Sequence, residues 1–332
     1  MTPTTLALVG AGAIARSYFA ALRGSTRLVA VAVVEPDPTR RADAAAELGV
    51  PGYADLATML AAGAPDAAIV MTPPVTHEAT SIALLDAGLH VLCEKPLAVS
   101  TAAALRMIAA ARRADRRLMM ASKFRYVADV LRARALVADG LIGRLLLFEN
   151  AFCSRVDMTR RWNSDPAIAG GGVLIDNGCH SVDIARFLCG PLARIQAQFA
   201  VPTQDLRDED TARILFESEC GAMGAIDLSW SLHKEITSFV RLYGSEGTLE
   251  IGWQRSRHKR AGQDEWESFG AGYDKLAAFR AQLEDFAATI RGEVEPRITL
   301  EDALWSVRAI DAAYCSARTT KWVPIEPRSE SP

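Results

Sequence analysis

Three stretches of this chain combine residue types and spacings that can do chemistry. In Gly88-Leu89-His90-Val91-Leu92-Cys93-Glu94-Lys95-Pro96, an apolar strand ends on a lysine that a proline fixes in place. Ligands of parallel α/β sheets bind outside the carboxyl ends of the strands. Lys95 is therefore expected to hold a positive charge against a substrate oxygen. Gly10-Ala11-Gly12-Ala13-Ile14-Ala15 follows the strand-like run Leu6–Val9 and opens a helix-favouring one, the setting in which G-x-G-x-x-[G/A] cradles a dinucleotide. Gly10 permits the tight turn, Gly12 lets the backbone approach a pyrophosphate, and Ala15 allows close helix–strand packing. The helix N-terminus around Ala13 and Ile14 offers amides and positive dipole to the phosphates. Third, Gly170-Gly171-Gly172 precedes Asp176, Asn177 and His180. A helix starting near Gly172 makes Asp176 and His180 i and i+4 on one face. A carboxylate so placed can orient the imidazole and stabilise its protonated form. The glycines are read as letting the backbone pass close to a ligand. A capped amphipathic helix with a surface Asp–His pair is the competing reading.

These residues need elements to carry them. β-rich runs at Leu6–Val9, Leu28–Val34, Ala67–Met71, His90–Cys93 and Leu118–Ala121 alternate with Ala-rich, helix-favouring stretches. That alternation implies βαβ units and a doubly wound parallel sheet over residues 1–122. After about residue 122 the pattern changes. Helices are expected at Val127–Ala138 and Gly172–Leu188, with strands at Leu145–Phe152, Ala212–Glu217, Met223–Trp230, Phe239–Tyr243 and Thr248–Ile251. This predicts a second, α+β domain over 123–327 with an open, mostly antiparallel sheet and helices on one face. Two late helices carry apolar stripes: Leu276, Phe279, Leu283, Phe286 and Ile290, then Leu300, Leu304, Val307 and Tyr314. Residues 328–332 read as a disordered tail.

Glu35 ends the second predicted strand, where an acid grips the ribose hydroxyls of a dinucleotide. A 2'-phosphate at about 5 Å would meet repulsion of several kcal/mol at most. This favours NAD over NADP. Arg40 and Arg41 follow closely and are read as solvated residues of the next helix.

Bulk properties exclude other classes. The chain has 332 residues, half of them hydrophobic, and a net charge of −3, which suits two globular domains and gives no reason to expect nucleic acid or an anionic membrane. No run approaches the roughly 20 apolar residues of a membrane span, and the N-terminus enters a strand without a signal-like region, so a cytoplasmic location is expected. The six cysteines are scattered without a Cys-x-x-Cys pair, and no metal site is expected from them or from the histidines.

The order GAGAIA, Thr72-Pro73-Pro74-Val75-Thr76-His77, Glu94-Lys95-Pro96 and Gly-Gly-Gly-x3-Asp-x3-His resembles the glucose–fructose oxidoreductase/inositol 2-dehydrogenase/MocA (Gfo/Idh/MocA) family over nearly the whole chain. The resemblance implies reversible oxidation of a secondary alcohol on a sugar, sugar derivative or cyclitol. It implies a Rossmann domain followed by a domain whose open sheet often forms the interface of a homodimer or homotetramer. It implies that Lys95, Asp176 and His180 are catalytic, that Thr72, Pro73 and Pro74 flank the nicotinamide, and that Glu94 and His77 contact the cofactor. His77 can equally cap the helix that follows it. Arg161-Trp162-Asn163 falls where the family often has cofactor or substrate contacts, so Trp162 is matched to the cofactor, with packing as its alternative, and Asn163, with Asn177, to the substrate. In this family the peptide bond before the motif proline is often cis, which points to Lys95–Pro96. Arg125, after the last Rossmann strand, is a substrate-binding candidate with a salt bridge as the alternative.

Oxidising a carbinol leaves an alcohol proton to remove. An imidazole, near pKa ~6.5, needs almost no adjustment to take it at neutral pH, whereas a lysine would need about 3 units, or ~4 kcal/mol. His180 is therefore read as general acid/base, Asp176 as its orienter and a hold on a substrate hydroxyl, and Lys95 as the charge that stabilises the alkoxide. Two other readings stand beside this one. In the first, the substrate is a nucleotide-linked sugar whose diphosphate meets Arg255, Arg257, Lys259 and Arg260; a solvated hairpin is the plainer reading of that stretch. In the second, the protein senses a dinucleotide or sugar without turnover.

Overall fold

The computed structural model describes residues 2–325; the tail predicted at 328–332 lies outside them. The chain forms two compact units. Among the described residues, the first holds 2–123 together with Lys275–Leu304, the second Phe124–Asp274 and 305–325.

The first unit is a six-stranded parallel sheet. Its strands are β1 (Thr4–Val9), β2 (Leu28–Val34), β3 (Gly52–Tyr53), β4 (Ala67–Val70), β5 (His90–Glu94) and β6 (Leu118–Ala121), in the order β3-β2-β1-β4-β5-β6. All residues of β4 and β6 are buried, as strands covered on both faces require. The order reverses between β1 and β4, and ligands of doubly wound sheets bind at such a switch point.

Residues 275–304 group with the first unit, whereas the sequence reading places them in a second domain over 123–327. The helix Lys275–Ile290 returns to the first unit. Phe279, Leu283, Phe286 and Ala287 pack into one cluster with Leu6, Leu8, Tyr18, Phe19 and Leu22, and Phe279 meets the Tyr18 ring edge-on at 4.9 Å. An apolar stripe read along the chain shows that a helix is buried, not which sheet buries it.

The second unit is built on β7 (Leu145–Cys153), β8 (Leu192–Phe199), β9 (Thr211–Ser218), β10 (Met223–Ser229), β11 (Ser238–Gly244), β12 (Gly247–Gly252), β13 (Ser256–Arg260), β14 (Glu267–Gly270) and β15 (Val323–Pro324). Among the described residues these form one sheet in the order β14-β13-β12-β11-β7-β10-β9-β8-β15. All neighbours are antiparallel except β7 and β10. In β9, Ala212, Ile214 and Phe216 are buried while Arg213 and Leu215 are exposed, the alternation of a sheet with one covered face. The other face carries ion pairs, Arg213–Asp227 at 2.6 Å and Arg194–Glu217 at 2.7 Å. β13 occupies the stretch read as a solvated hairpin. Arg257 there pairs with Glu250 at 2.8 Å and lies over the Trp266 ring, and Lys259 donates to the Asp264 carbonyl.

The placement of residues 275–290 is checked by Phe286→Ala. It should lower the stability of the first unit by about 3–5 kcal/mol. Urea unfolding with an unchanged midpoint would contradict this packing.

Candidate active site

In the first unit, the predicted residues gather at the carboxyl ends of the strands. Gly10 follows β1 with φ +98°, and a Cβ there would lie 2.9 Å from the Met71 carbonyl group just beyond β4. Only glycine allows both that φ and that approach. Around the position of a Cβ on Gly12 no heavy atom lies within 4 Å. The helix Ala15–Leu22 that opens here has no side-chain cap and no acid in its first turn, so its positive end is available to an anion. Glu35 follows β2. Its Oε2 accepts the Ala11 amide at 2.8 Å and its Oε1 the Asp37 amide at 3.1 Å. The carboxylate thus stands directly beside the glycine turn. A glycine turn open at Gly12, an uncapped helix start and a carboxylate beside them are groups that fit a nicotinamide dinucleotide. Arg40 lies 3.5 Å from Glu35 Oε1, and Arg41 donates to the Glu35 carbonyl at 2.7 Å. Arg41 is therefore tied to the backbone, where the sequence suggested a solvated residue.

Thr72, Pro73 and Pro74 follow β4, the last of them opening a short 3-10 turn. His77 is 1% exposed. One ring nitrogen lies 2.8 Å from the Pro96 carbonyl and the other 2.8 Å from the Thr72 carbonyl. It ties the β4 loop to the turn after β5. Burial pulls its pKa below the ordinary imidazole value, against the pull of those carbonyls.

Lys95 follows β5, and its peptide bond to Pro96 is cis. Glu94 before it is turned inward. Its Oε1 accepts the Tyr18 hydroxyl at 2.7 Å and its Oε2 accepts the Lys95 amide at 3.1 Å. Gln282, on the returning helix, donates to the Tyr18 oxygen at 3.0 Å. Burial raises the Glu94 pKa, while Tyr18, Lys95 and Lys123 draw it down. Tyr18 and Gln282 escaped sequence reading. The only signal was a polar-tipped aromatic on the helix after the glycine turn.

In the second unit the helical segment with Asp176 and His180 departs from the expected α-helix. Leu174–Gly178 is a π turn, and the α-helix Cys179–Cys189 continues from it. Asp176 is on the π turn and His180 in the first α turn; inserted π turns recur at functional sites. Asn163 Nδ2 donates to Asp176 Oδ2 at 3.4 Å, so two predicted substrate contacts are brought together. Asn177, beside Asp176, is half-buried, and Trp162, beside Asn163, is 49% exposed. His180 is 6% exposed, its ring edge-on to Phe124 at 5.0 Å. Phe124 also stacks on Tyr273 at 5.2 Å, so the imidazole is held by an aromatic wall.

Two expectations change. Arg125 is 3% exposed and pairs with Asp183 at 2.8 Å, its guanidinium over the Phe187 ring at 4.7 Å. A buried arginine needs such a partner, and this is the salt bridge that was the alternative to substrate binding. The close approach made by Gly171 and Gly172 is to protein groups. A Cβ on Gly171 would overlap the Tyr314 hydroxyl, and one on Gly172 the Glu209 carbonyl.

Among the described residues no His/Cys/Asp/Glu group could hold a metal ion, no disulfide joins the cysteines, and no helix is long and apolar enough to cross a membrane.

The Tyr18–Glu94 pair is checked by Tyr18→Phe. Losing the donor to a buried carboxyl should cost about 1–3 kcal/mol, seen as a lower thermal midpoint. An unchanged midpoint would mean that the bond contributes nothing.

Comparison with known proteins agrees with this geometry. The GFO/IDH/MocA oxidoreductase family, NAD-binding Rossmann fold, matches residues 4–122, and the GFO/IDH/MocA C-terminal domain matches 130–250. D-apiose dehydrogenase of Paraburkholderia graminis is 28% identical over 96% of this chain and 89% of its own length. The NADP-dependent D-xylose 1-dehydrogenase 2 of Haloferax volcanii is 29% identical over 90% of this chain and 92% of its own. The WlbA dehydrogenase of Chromobacterium violaceum, solved with NADH and UDP-GlcNAcA, superposes with a TM-score of 0.86 at 25% identity, covering 99% of this chain and 97% of that one. The chain belongs to the GFO/IDH/MocA family of oxidoreductases.

Proposed function

We propose that the protein is an NAD(H)-dependent dehydrogenase or ketoreductase acting on a secondary alcohol or ketone of a sugar, sugar derivative or cyclitol. The observation that carries this reading is the set of loops following β1, β2, β4 and β5. They align a glycine turn, Glu35, the Thr72–Pro74 loop and Lys95 along one edge of one sheet. NAD, when bound, accepts or supplies the hydride. Lys95 keeps its charge and stabilises the developing alkoxide. His180 takes the alcohol proton during oxidation and returns it during reduction. Asp176, with Asn163 beside it, orients the imidazole and holds a neighbouring hydroxyl. Phe124 packs against the ring and excludes water from that side.

Preference for NAD over NADP is supported by Glu35, a carboxylate beside the glycine turn that would repel a 2'-phosphate close to it. The polyhydroxylated substrate is supported by the sugar dehydrogenases among the relatives. A homodimer or homotetramer is supported by the uncovered face of the second sheet, where exposed Leu147 and Met223 are register neighbours. A cytoplasmic setting suits six cysteines without a disulfide. A nucleotide-linked sugar stands as the alternative substrate: Arg257 and Lys259 are engaged by Glu250 and the Asp264 carbonyl, while the WlbA dehydrogenase was solved with UDP-GlcNAcA.

The test is His180→Ala, assayed with a panel of aldoses and cyclitols at the nicotinamide absorbance. Turnover should fall by about 100-fold or more while NADH affinity, read by fluorescence, stays within about twofold. Near-parental turnover would refute the assignment of His180.

A further inference from the structure

Glu209 lies just ahead of β9, 4% exposed, and three of its contacts converge on one place. Its carbonyl accepts the Val173 amide at 2.9 Å. Its Oε1 accepts the Leu174 amide at 3.0 Å and the Tyr314 hydroxyl at 2.9 Å. Tyr314 comes from the last helix, Leu300–Thr319. Gly171 and Gly172 are what let these two residues close on the backbone, since a Cβ on either would overlap them. Three distant segments are thus locked at the amides that open the π turn. Two residues further on stands Asp176, and six further on His180.

We infer that Glu209 is a positioning residue for the reaction, which by gripping the Leu174 amide fixes where Asp176 and His180 stand. The inference rests on the reading that these two residues do the chemistry. A buried acid is a costly choice for an amide acceptor, because a backbone carbonyl would do the same without a titrating group. Its cost is reduced by protonation. Burial, with Asp208 next to it, pushes the Glu209 carboxyl up to about 8. The titratable groups facing it are Asp208 on its own segment and the Tyr314 phenol on the last helix, which burial and Glu209 push up in turn. At neutral pH the neutral acid presents its Oε1 to two donors, and its Oε2 is sealed from solvent. A proton lost above pH 8 leaves a buried charge beside the Asp208 carboxylate and loosens the turn.

Two full-length variants test this. Glu209→Gln keeps the acceptor and stays neutral; Glu209→Met keeps the volume and removes the acceptor. In Glu209→Met, kcat should fall about 30-fold or more, the size of effect a small misplacement of reacting groups produces. NADH affinity should stay within about twofold, and amides 173–182 should exchange faster with deuterium. Glu209→Gln should restore both kcat and protection. It should also retain activity above pH 8 that the parent loses. If Glu209→Met does not fold, Tyr314→Phe, which removes one donor alone, should give the same pattern at smaller size. Parental kcat and exchange in Glu209→Met, or a Glu209→Gln enzyme as impaired as Glu209→Met, would overturn the inference. Should His180→Ala retain turnover, the reading of the chemistry fails instead, and deuterium exchange still reports on the grip itself.

Discussion

An ammonium that is to stabilise a forming alkoxide must be held by something that does not move with it. Under the proposed function, the holding group in this chain is the buried Glu94 carboxyl, which accepts the Lys95 amide on one oxygen and the Tyr18 hydroxyl on the other. Tyr18 is fixed in turn by Gln282 from a helix more than 260 residues away in sequence. A strand end alone gives a lysine a direction; the buried network gives it a fixed backbone from which to reach. Half-satisfied, such a group would destabilise the fold by more than a missing surface contact. The helix Lys275–Ile290 therefore does two jobs, covering the first sheet with Phe279, Leu283 and Phe286 and completing the polar network above it.

The second unit repeats the device with different parts. Glu209 accepts the Leu174 amide as Glu94 accepts that of Lys95. In both, burial raises the acid's pKa, and a tyrosine from another helix donates to it at 2.7 or 2.9 Å. Each unit sets one buried carboxyl on the backbone near a side chain to which the proposed function gives a chemical role. The common physical reason is preorganisation: a group that acts on developing charge must not have to be reorganised at the moment of reaction.

Much of this was legible in the residues themselves. The βαβ rhythm of the first 122 residues, the glycine turn, Glu35 and the strand leading to Lys95 are local patterns. Local patterns survive in one dimension because strand and helix periods are set by neighbours in sequence. The antiparallel strands showed themselves by alternation, as at Ile226 and Leu228. What escaped were relations between distant residues. Arg125 faces Asp183 across 58 positions, Tyr18 faces Glu94 across 76, and Glu209 faces Leu174 across 35. No local rule pairs them. The π turn escaped for another reason: Asp176 and His180 at i, i+4 fit an α turn equally well, and the departure depends on what Gly171, Gly172 and Gly178 must pack against. Gly178 is pressed by Leu174, Leu228 and Ile310, each within 3.1–3.4 Å of a Cβ built there.

The proposed function requires that Lys95 and His180 serve one reacting oxygen. A double-mutant cycle reads this without presupposing a geometry, because groups that act as a unit lose their effects together. The measurement is kcat/KM for the parent, Lys95→Ala, His180→Ala and the double variant on one sugar with NAD. The account predicts that the double variant is hardly worse than the worse single one. Losses that multiply, as for two independent sites, would contradict it.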